Sequence, residues 1–114
     1  MHVEIRSNDL RLPRAQSVSL AGRIRASFAR LAHRIARIVV RLAEASGARS
    51  AARECTVEIH LASGEVTVVK ERQRRLGALM RRATERAWRA AVQAIARQRD
   101  AQRMLRLPAP TSST

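Results

Sequence analysis

The clearest strand pattern in the chain lies in the stretch of residues 55–71, which reads CTVEIHLASGEVTVVKE. Apolar and polar side chains alternate without interruption in its first half, a period of two that is typical of a strand with one buried face. The inward set is expected to be Cys55, Val57, Ile59 and Leu61. Residues 62–64, Ala-Ser-Gly, then predict a tight turn into a second strand over 65–71, with Val66 and Val68 facing the core. The stretch therefore predicts a β-hairpin.

Upstream of the hairpin, strand and helix patterns follow one another. The chain opens with alternation around Val3 and Ile5, which predicts a strand, and alternation returns over residues 37–42. Between them, from about Gln16, apolar side chains recur at intervals of three and four, which predicts a helix. Its buried face is expected to contain Val18, Ala21, Ile24, Phe28, Leu31 and Ala32. Residues 45–52 are small or polar and are interpreted as a loop.

Downstream of the hairpin, the chain carries its longest helical pattern. Apolar side chains, mostly alanine, recur at helical spacing from Leu76 to about Asp100. The set expected to face the sheet is Leu76, Met80, Ala83, Ala87, Ala90, Ala91, Ala94 and Gln98. We therefore predict one domain over residues 1–103, followed by a short disordered tail over residues 104–114.

The order of these elements defines the fold class. One sheet with a single buried face needs cover on one side, and two amphipathic helices can supply it. The prediction is an α+β two-layer sandwich, β-α-β-β-β-α, with two helices on one face of a four-stranded sheet. The other face is expected to be exposed and mixed in charge, with His2, Glu4, Arg6, Arg37, Arg41, Glu58, His60 and Thr67 on it.

Charge is the strongest functional signal in the sequence. The 114 residues include 23 basic and 9 acidic side chains, a net charge of +14, and Lys70 is the only basic residue that is not arginine. Such an excess favours a polyanionic partner, because guanidinium groups bind phosphate through two parallel hydrogen bonds. A GC-rich genome would explain the preference for arginine over lysine, but not the net charge.

The arginines concentrate on the two predicted helices and one loop. On the last helix, those between Arg75 and Arg97 fall in one stripe about 80° wide that no acid interrupts. The predicted RNA-binding residues are Arg23, Arg30, Arg49, Arg75, Arg82, Arg86, Arg89 and Arg97. Arg25, Arg99 and Arg103 are instead expected to be solvated side chains that lie over alanines.

The scarcity of aromatic rings indicates how a nucleic acid would be bound. Phe28 and Trp88 are the only Phe, Trp or Tyr residues. Proteins that hold single strands by base stacking use several exposed rings. The arginines therefore point to backbone phosphates of a structured nucleic acid. Trp88 is expected to fill the core or form a hydrophobic edge.

The same residues argue against catalysis, cofactors and membranes. The three histidines lack metal-ligand spacing, Cys55 belongs to the inward face of its strand, and there is no glycine-rich phosphate loop. We therefore expect no enzyme activity, no metal or cofactor and no small-molecule substrate. The longest aliphatic run, Ile38-Val39-Val40, is far too short to span a membrane, and no signal peptide is recognised. The expected location is the cytoplasm.

Several short motifs resemble the ribosome hibernation-promoting factor and RaiA family. Residues 1–6 (MHVEIR) resemble its opening strand, and residues 28–31 with 33–42 (HRIARIVVRL) resemble its helix end and second strand. Residues 53–59 (RECTVEI) are similar to a branch with a cysteine that opens the third strand. Ala83, Arg86 and Ala87 match a pattern of the last helix.

The resemblance implies a ribosome-associated translation inhibitor. Such a protein would bind the small ribosomal subunit in the channel for messenger and transfer RNA, block translation and protect idle ribosomes. Two alternatives stay open. The same arginines suit a generic RNA- or DNA-binding module without ribosome preference, and the exposed sheet face or an edge strand would suit self-association.

Overall fold

The computed structural model describes residues 1–8, 11–44 and 52–106 and confirms the predicted α+β order. The elements are β1 (His2–Asn8), α1 (Arg14–Ser27), a 3₁₀ helix (Ala29–Arg34), β2 (Ile35–Glu44), β3 (Arg53–Leu61), β4 (Val66–Gln73) and α2 (Leu76–Arg106). The predicted loop lies almost entirely at positions 45–51, outside the described residues.

The four strands form one mixed sheet in the order β1-β2-β3-β4. β1 pairs with β2 in parallel, and β2–β3 and β3–β4 are antiparallel. A parallel pair needs a long crossover connection, and α1 with the 3₁₀ helix supplies it. Helix α1 packs against β1, whereas α2 lies across β3 and β4.

The core lies between the sheet and the two helices. From the sheet it receives Ile38, Val40, Leu42, Cys55, Val57, Ile59 and Leu61, and each is at most 3% exposed. The four residues from β3 are the inward set that alternation predicted, and the three from β2 are every second residue of the alternating stretch over 37–42. From α2 it receives mainly Ala83, Ala87, Ala91 and Ala94, each 0% exposed. Since alanine has only a methyl side chain, α2 lies close to the sheet.

The prediction of which β4 side chains face the core was wrong. Val66 and Val68 are 47% and 52% exposed, and Val69 packs against the core instead. Gly64, at φ +97°, closes a turn in which Leu61 N–H donates to the carbonyl of Glu65 (2.8 Å). That turn pairs Val57 with Val69, and paired residues share one face of a sheet.

The same pairing moves Thr67 off the exposed face. Thr67 lies opposite Ile59, whose side chain is buried, so it belongs to the helix-covered side. Val66 and Val68, opposite His60 and Glu58, take its place on the open face. The sequence prediction assigned the apolar side chains of β4 to the core, but the turn determines which of its side chains face inward.

The first helix was also predicted to be too long, and one of its residues was wrongly assigned to the core. α1 ends at Ser27, and the chain continues as a 3₁₀ helix rather than as α-helix through Ala32. Val18 is 64% exposed, while Leu20 is 7% exposed and joins Ile24 in the core. Leu20 precedes Ile24 by four residues and so lies on its face of the helix.

Helix α2 continues further than the periodicity indicated. Its 31 residues extend about 46 Å and include residues 104–106, which the sequence assigned to the tail. Ile95 is the last core residue of α2, and residues 101–105 are exposed. Residues 107–114 lie outside the described residues. No helix in the described parts of the chain is both long enough and apolar enough to cross a membrane.

Candidate nucleic-acid interface

The most basic element is the solvent-facing side of α2. We call Arg75, Arg82, Arg86, Arg89 and Arg97 the arginine stripe; all five are exposed. The alanine face of α2 fixes their direction, because burying it against the sheet leaves the stripe along the outer edge beside β4. Arg75 lies at the start of the helix, where its carbonyl accepts a hydrogen bond from Leu79 N–H (2.9 Å). Arg82, Arg86, Arg89 and Arg97 therefore lie on α2 itself, and Arg75 immediately precedes it.

Two acids from the hairpin lie beside this stripe, which the helical pattern did not reveal. Arg86 Nη1 donates to Glu71 Oε2 (2.9 Å) and also to the carbonyl of Lys70. Arg97 Nη2 lies 3.5 Å from Glu65 Oε1. Arg86 and Arg97 are thus partly neutralised by the sheet, because β4 and its turn run next to α2.

The remaining members of the stripe are its available cations. Within the described residues, Arg75, Arg82 and Arg89 form no ion pair. Their guanidinium groups can each offer a fork of N–H donors to a phosphate. Among the described residues, therefore, no acid competes with an added anion for these three guanidinium groups.

The hydrogen bond from Arg86 holds the pKa of Glu71 below its ordinary value of 4.5. Partial burial opposes this shift, while the charges of Arg86 and Arg82 reinforce it. Glu71 is only 16% exposed, so the pair attaches the outer side of α2 to β4. Arg86 therefore has a structural partner that competes with any phosphate.

The hairpin turn is also attached to α2. Gln98 Nε2 donates to Ser63 Oγ (2.6 Å) and to Glu65 Oε2 (2.8 Å). This places Glu65 beside Arg97 and fixes the distal part of the stripe against the sheet. Gln98 thus belongs to the sheet-facing side of α2, as the helical spacing predicted.

The other predicted RNA-binding residues lie apart from the stripe. Arg23 is exposed on α1, where it lines the cleft between the two helices opposite Arg81. Arg30 is exposed in the 3₁₀ helix, beyond the end of α1 at Ser27. Arg49 lies outside the described residues.

Sequence reasoning missed three further basic residues near these positions. Arg72 and Arg74 line a cleft together with Arg75 at the junction of β4 and α2. Arg72 also lies 3.7 Å from Glu54, whereas Arg81 borders the cleft between the helices. The cluster RQRR at residues 72–75 was a signal for the first two.

The open face of the sheet is mixed in charge, as predicted, and its acids are paired. Arg6 lies 2.9 Å from Glu4, and Arg41 lies 3.3 Å from Glu58. Hydrogen bonds from these arginines hold the pKa of each carboxyl below its usual value. His60 also lies 3.5 Å from Glu58. This face therefore presents ion pairs together with the exposed Val66 and Val68, and no aromatic platform.

Other candidates for chemistry fall into ordinary structural roles. Cys55 is 0% exposed, and burial raises the pKa of its thiol to about 12, so it is a core residue. No group of three or more His, Cys, Asp or Glu residues in the described parts of the chain could hold a metal ion. Trp88 is 38% exposed and does not fill the core.

Comparisons with known proteins bear on the fold. No family model and no curated protein matches the chain. The N-terminal domain of Protein Y from Thermus thermophilus has a TM-score of 0.55 at 20% identity, over 76% of this chain and 91% of that one. A ribosomal subunit interface protein from Coxiella burnetii has a TM-score of 0.63 at 9% identity, over 83% of this chain and 99% of that one. The chain is similar to both in fold, and the fold that the sequence resemblance implied is confirmed.

Proposed function

We propose that this protein binds the small ribosomal subunit through phosphates of ribosomal RNA. Bound in the channel for messenger and transfer RNA, it would inhibit translation and keep idle ribosomes protected. The observation that carries the proposal is the exposed arginine stripe on a fold similar to that of a ribosomal subunit interface protein.

The distribution of charge supports binding to a large, structured RNA. The stripe follows most of α2, the cluster around Arg72 and Arg74 lies at its start, and Arg23 and Arg30 lie on the neighbouring elements. Phosphates on different RNA strands can therefore be contacted at once by one rigid domain. Such contacts set position and affinity without reading base sequence.

No catalytic step is part of this proposal. The protein acts by occupying a site, so its inhibition depends on affinity and on shape. Neutralising phosphates releases counterions, and affinity is therefore expected to fall steeply as salt rises.

Co-sedimentation with purified subunits at low salt tests the proposal. The test variant reverses the unpaired stripe residues (Arg75→Glu, Arg82→Glu, Arg89→Glu). The matched control reverses three arginines expected to be solvated (Arg25→Glu, Arg99→Glu, Arg103→Glu), so both variants lose the same net charge. We expect the wild type and the control to pellet with small subunits, and the stripe variant to bind about tenfold or more weakly.

Two outcomes would contradict this assignment. Undiminished binding of the stripe variant would exclude the stripe as the site. Equal loss in both variants would mean that only net charge matters, which favours the generic RNA- or DNA-binding alternative.

A further inference from the structure

A groove runs between α1 and α2 on the outer surface of the domain, and the stripe does not account for it. Its larger part is a cleft of about 490 Å³ with Leu20, Ile24 and Met80 among its lining residues. A second, shallower cleft of about 320 Å³ continues it towards Trp88. Ser27, Thr84 and Glu85 line both parts, so the two clefts are one groove.

The groove combines an apolar floor with basic walls. Arg23 from α1 and Arg81 from α2 line its larger part, and Arg89 lines the shallower part. Glu85 is the one acid among the residues that line the two clefts. Three cations against one anion make the groove complementary to a negatively charged ligand with a flat apolar body.

Trp88 supplies a large flat surface at one end of the groove. It is the only tryptophan of the chain and is 38% exposed, whereas Phe28 is 1% exposed in the core. Arg81 and Trp88 are seven residues apart on α2, which places them on the same side of the helix and about 10 Å apart along its axis. An indole exposed beside arginines favours base stacking together with phosphate contacts.

We propose that this groove holds one unpaired nucleotide of the bound RNA, with its base stacked on Trp88 and an adjacent phosphate held by Arg23 and Arg81. The inference rests on the proposed RNA-binding function and adds a second kind of contact to it. One exposed ring suits one base, not a continuous single strand.

Arg89 connects the groove with the rest of the interface. It belongs to the arginine stripe and also lines the cleft beside Trp88. An RNA backbone held by the stripe therefore passes next to the indole, within reach of a base that turns out of its helix. The groove thus distinguishes RNA with unpaired nucleotides from a perfect duplex.

Fluorescence of Trp88 tests the inference, since no other tryptophan contributes. The probes are a dye-labelled single-stranded RNA hexamer, a perfect RNA duplex of the same sequence, and adenosine monophosphate. Anisotropy of the labelled RNAs measures affinity independently of Trp88. We expect the single strand to quench Trp88 and the duplex to bind without quenching it.

Two variants extend the test. Trp88→Leu is expected to weaken single-strand binding about tenfold, the order that one stacked base contributes, and to leave duplex binding unchanged. Trp88→Phe keeps a ring and is expected to restore most of the affinity. Circular dichroism of both variants confirms that they are folded.

The results separate failure of this inference from failure of the proposed function. Saturable single-strand binding without quenching, or equal weakening of both RNAs by Trp88→Leu, would overturn the groove and leave the stripe intact. Quenching by adenosine monophosphate as strong as by the hexamer would overturn RNA as the occupant. Absence of binding to either RNA and to ribosomal subunits would overturn both.

Discussion

The close contact between α2 and the sheet depends on alanine, and enlarging one of these residues tests it. Ala91 is 0% exposed and packs within the core between helix and strands. Replacing it with leucine adds three carbon atoms at a fully buried position. Overpacking a well-filled core costs about 1–3 kcal/mol.

That magnitude is large for a domain of this size. A loss of about 2 kcal/mol lowers the folding equilibrium constant about 30-fold. In urea, where small proteins lose about 1–3 kcal/mol of stability per molar, the unfolding midpoint is expected to fall by about 1 M. Urea is the appropriate denaturant here because it leaves the ionic strength unchanged for so basic a chain.

Urea unfolding followed by far-ultraviolet circular dichroism measures this effect. The control is Ala101→Leu on the same helix, where the side chain is exposed and the change is expected to stay within about 0.5 kcal/mol. If Ala91→Leu were as stable as the control, α2 would not lie close to the sheet. The placement of the arginine stripe would then lose its structural basis.

The side chains of Glu71, Cys55 and Arg82 each have a consequence that can be measured. Arg86 lowers the pKa of Glu71 in the folded chain. The pair therefore stabilises the fold at a pH above 4.5, the ordinary pKa of the carboxyl, and this stabilisation is lost as the pH falls through the lowered pKa. The stability difference between wild type and Glu71→Gln should accordingly be greatest near neutral pH and shrink on acidification, and a constant difference would refute the pairing. Cys55, buried and with its pKa raised to about 12, should resist a thiol reagent at pH 8 until the chain unfolds, and rapid labelling of the folded protein would contradict its core position. Arg82→Ala should weaken binding to small subunits at low salt and reduce the slope of log affinity against log salt by about one; an unchanged slope would show that Arg82 touches no phosphate.

The fold was predictable because alternation is unambiguous where one face is buried. In β3, every second residue from Cys55 to Leu61 is buried, as the pattern predicted. The α2 face was equally clear, since its alanines recur at helical spacing over many turns. These patterns depend only on which side of each element is covered.

The facing of β4 was not predictable from apolarity, because its valines occupy both faces. The register set by the turn at Gly64 determined that Val69, and not Val68, packs inward. The residue types within a strand do not determine which side chains face the core when the preceding turn sets the pairing register. The same reasoning explains Thr67, whose facing changed together with its neighbours.

The stripe was predictable from helical spacing, but its environment was not. The spacing of residues along one helix does not indicate which side chains an adjacent strand places beside it. The ion pair of Arg86 with Glu71 could therefore not be predicted from the sequence. The groove between the helices was missed for the same reason, since Arg23 and Arg81 are far apart in the chain. Only the packing of α1 beside α2 places them in one cleft.

Under the proposed function, the arginines recognise a ribosomal RNA surface and not phosphate in general. The most direct measurement is competition: labelled protein bound to small subunits is challenged with duplex RNA of arbitrary sequence at equal phosphate concentration, and the bound fraction is read by sedimentation. We predict that the protein stays with the small subunits. Displacement by the duplex would contradict ribosome preference and leave a generic nucleic-acid-binding module.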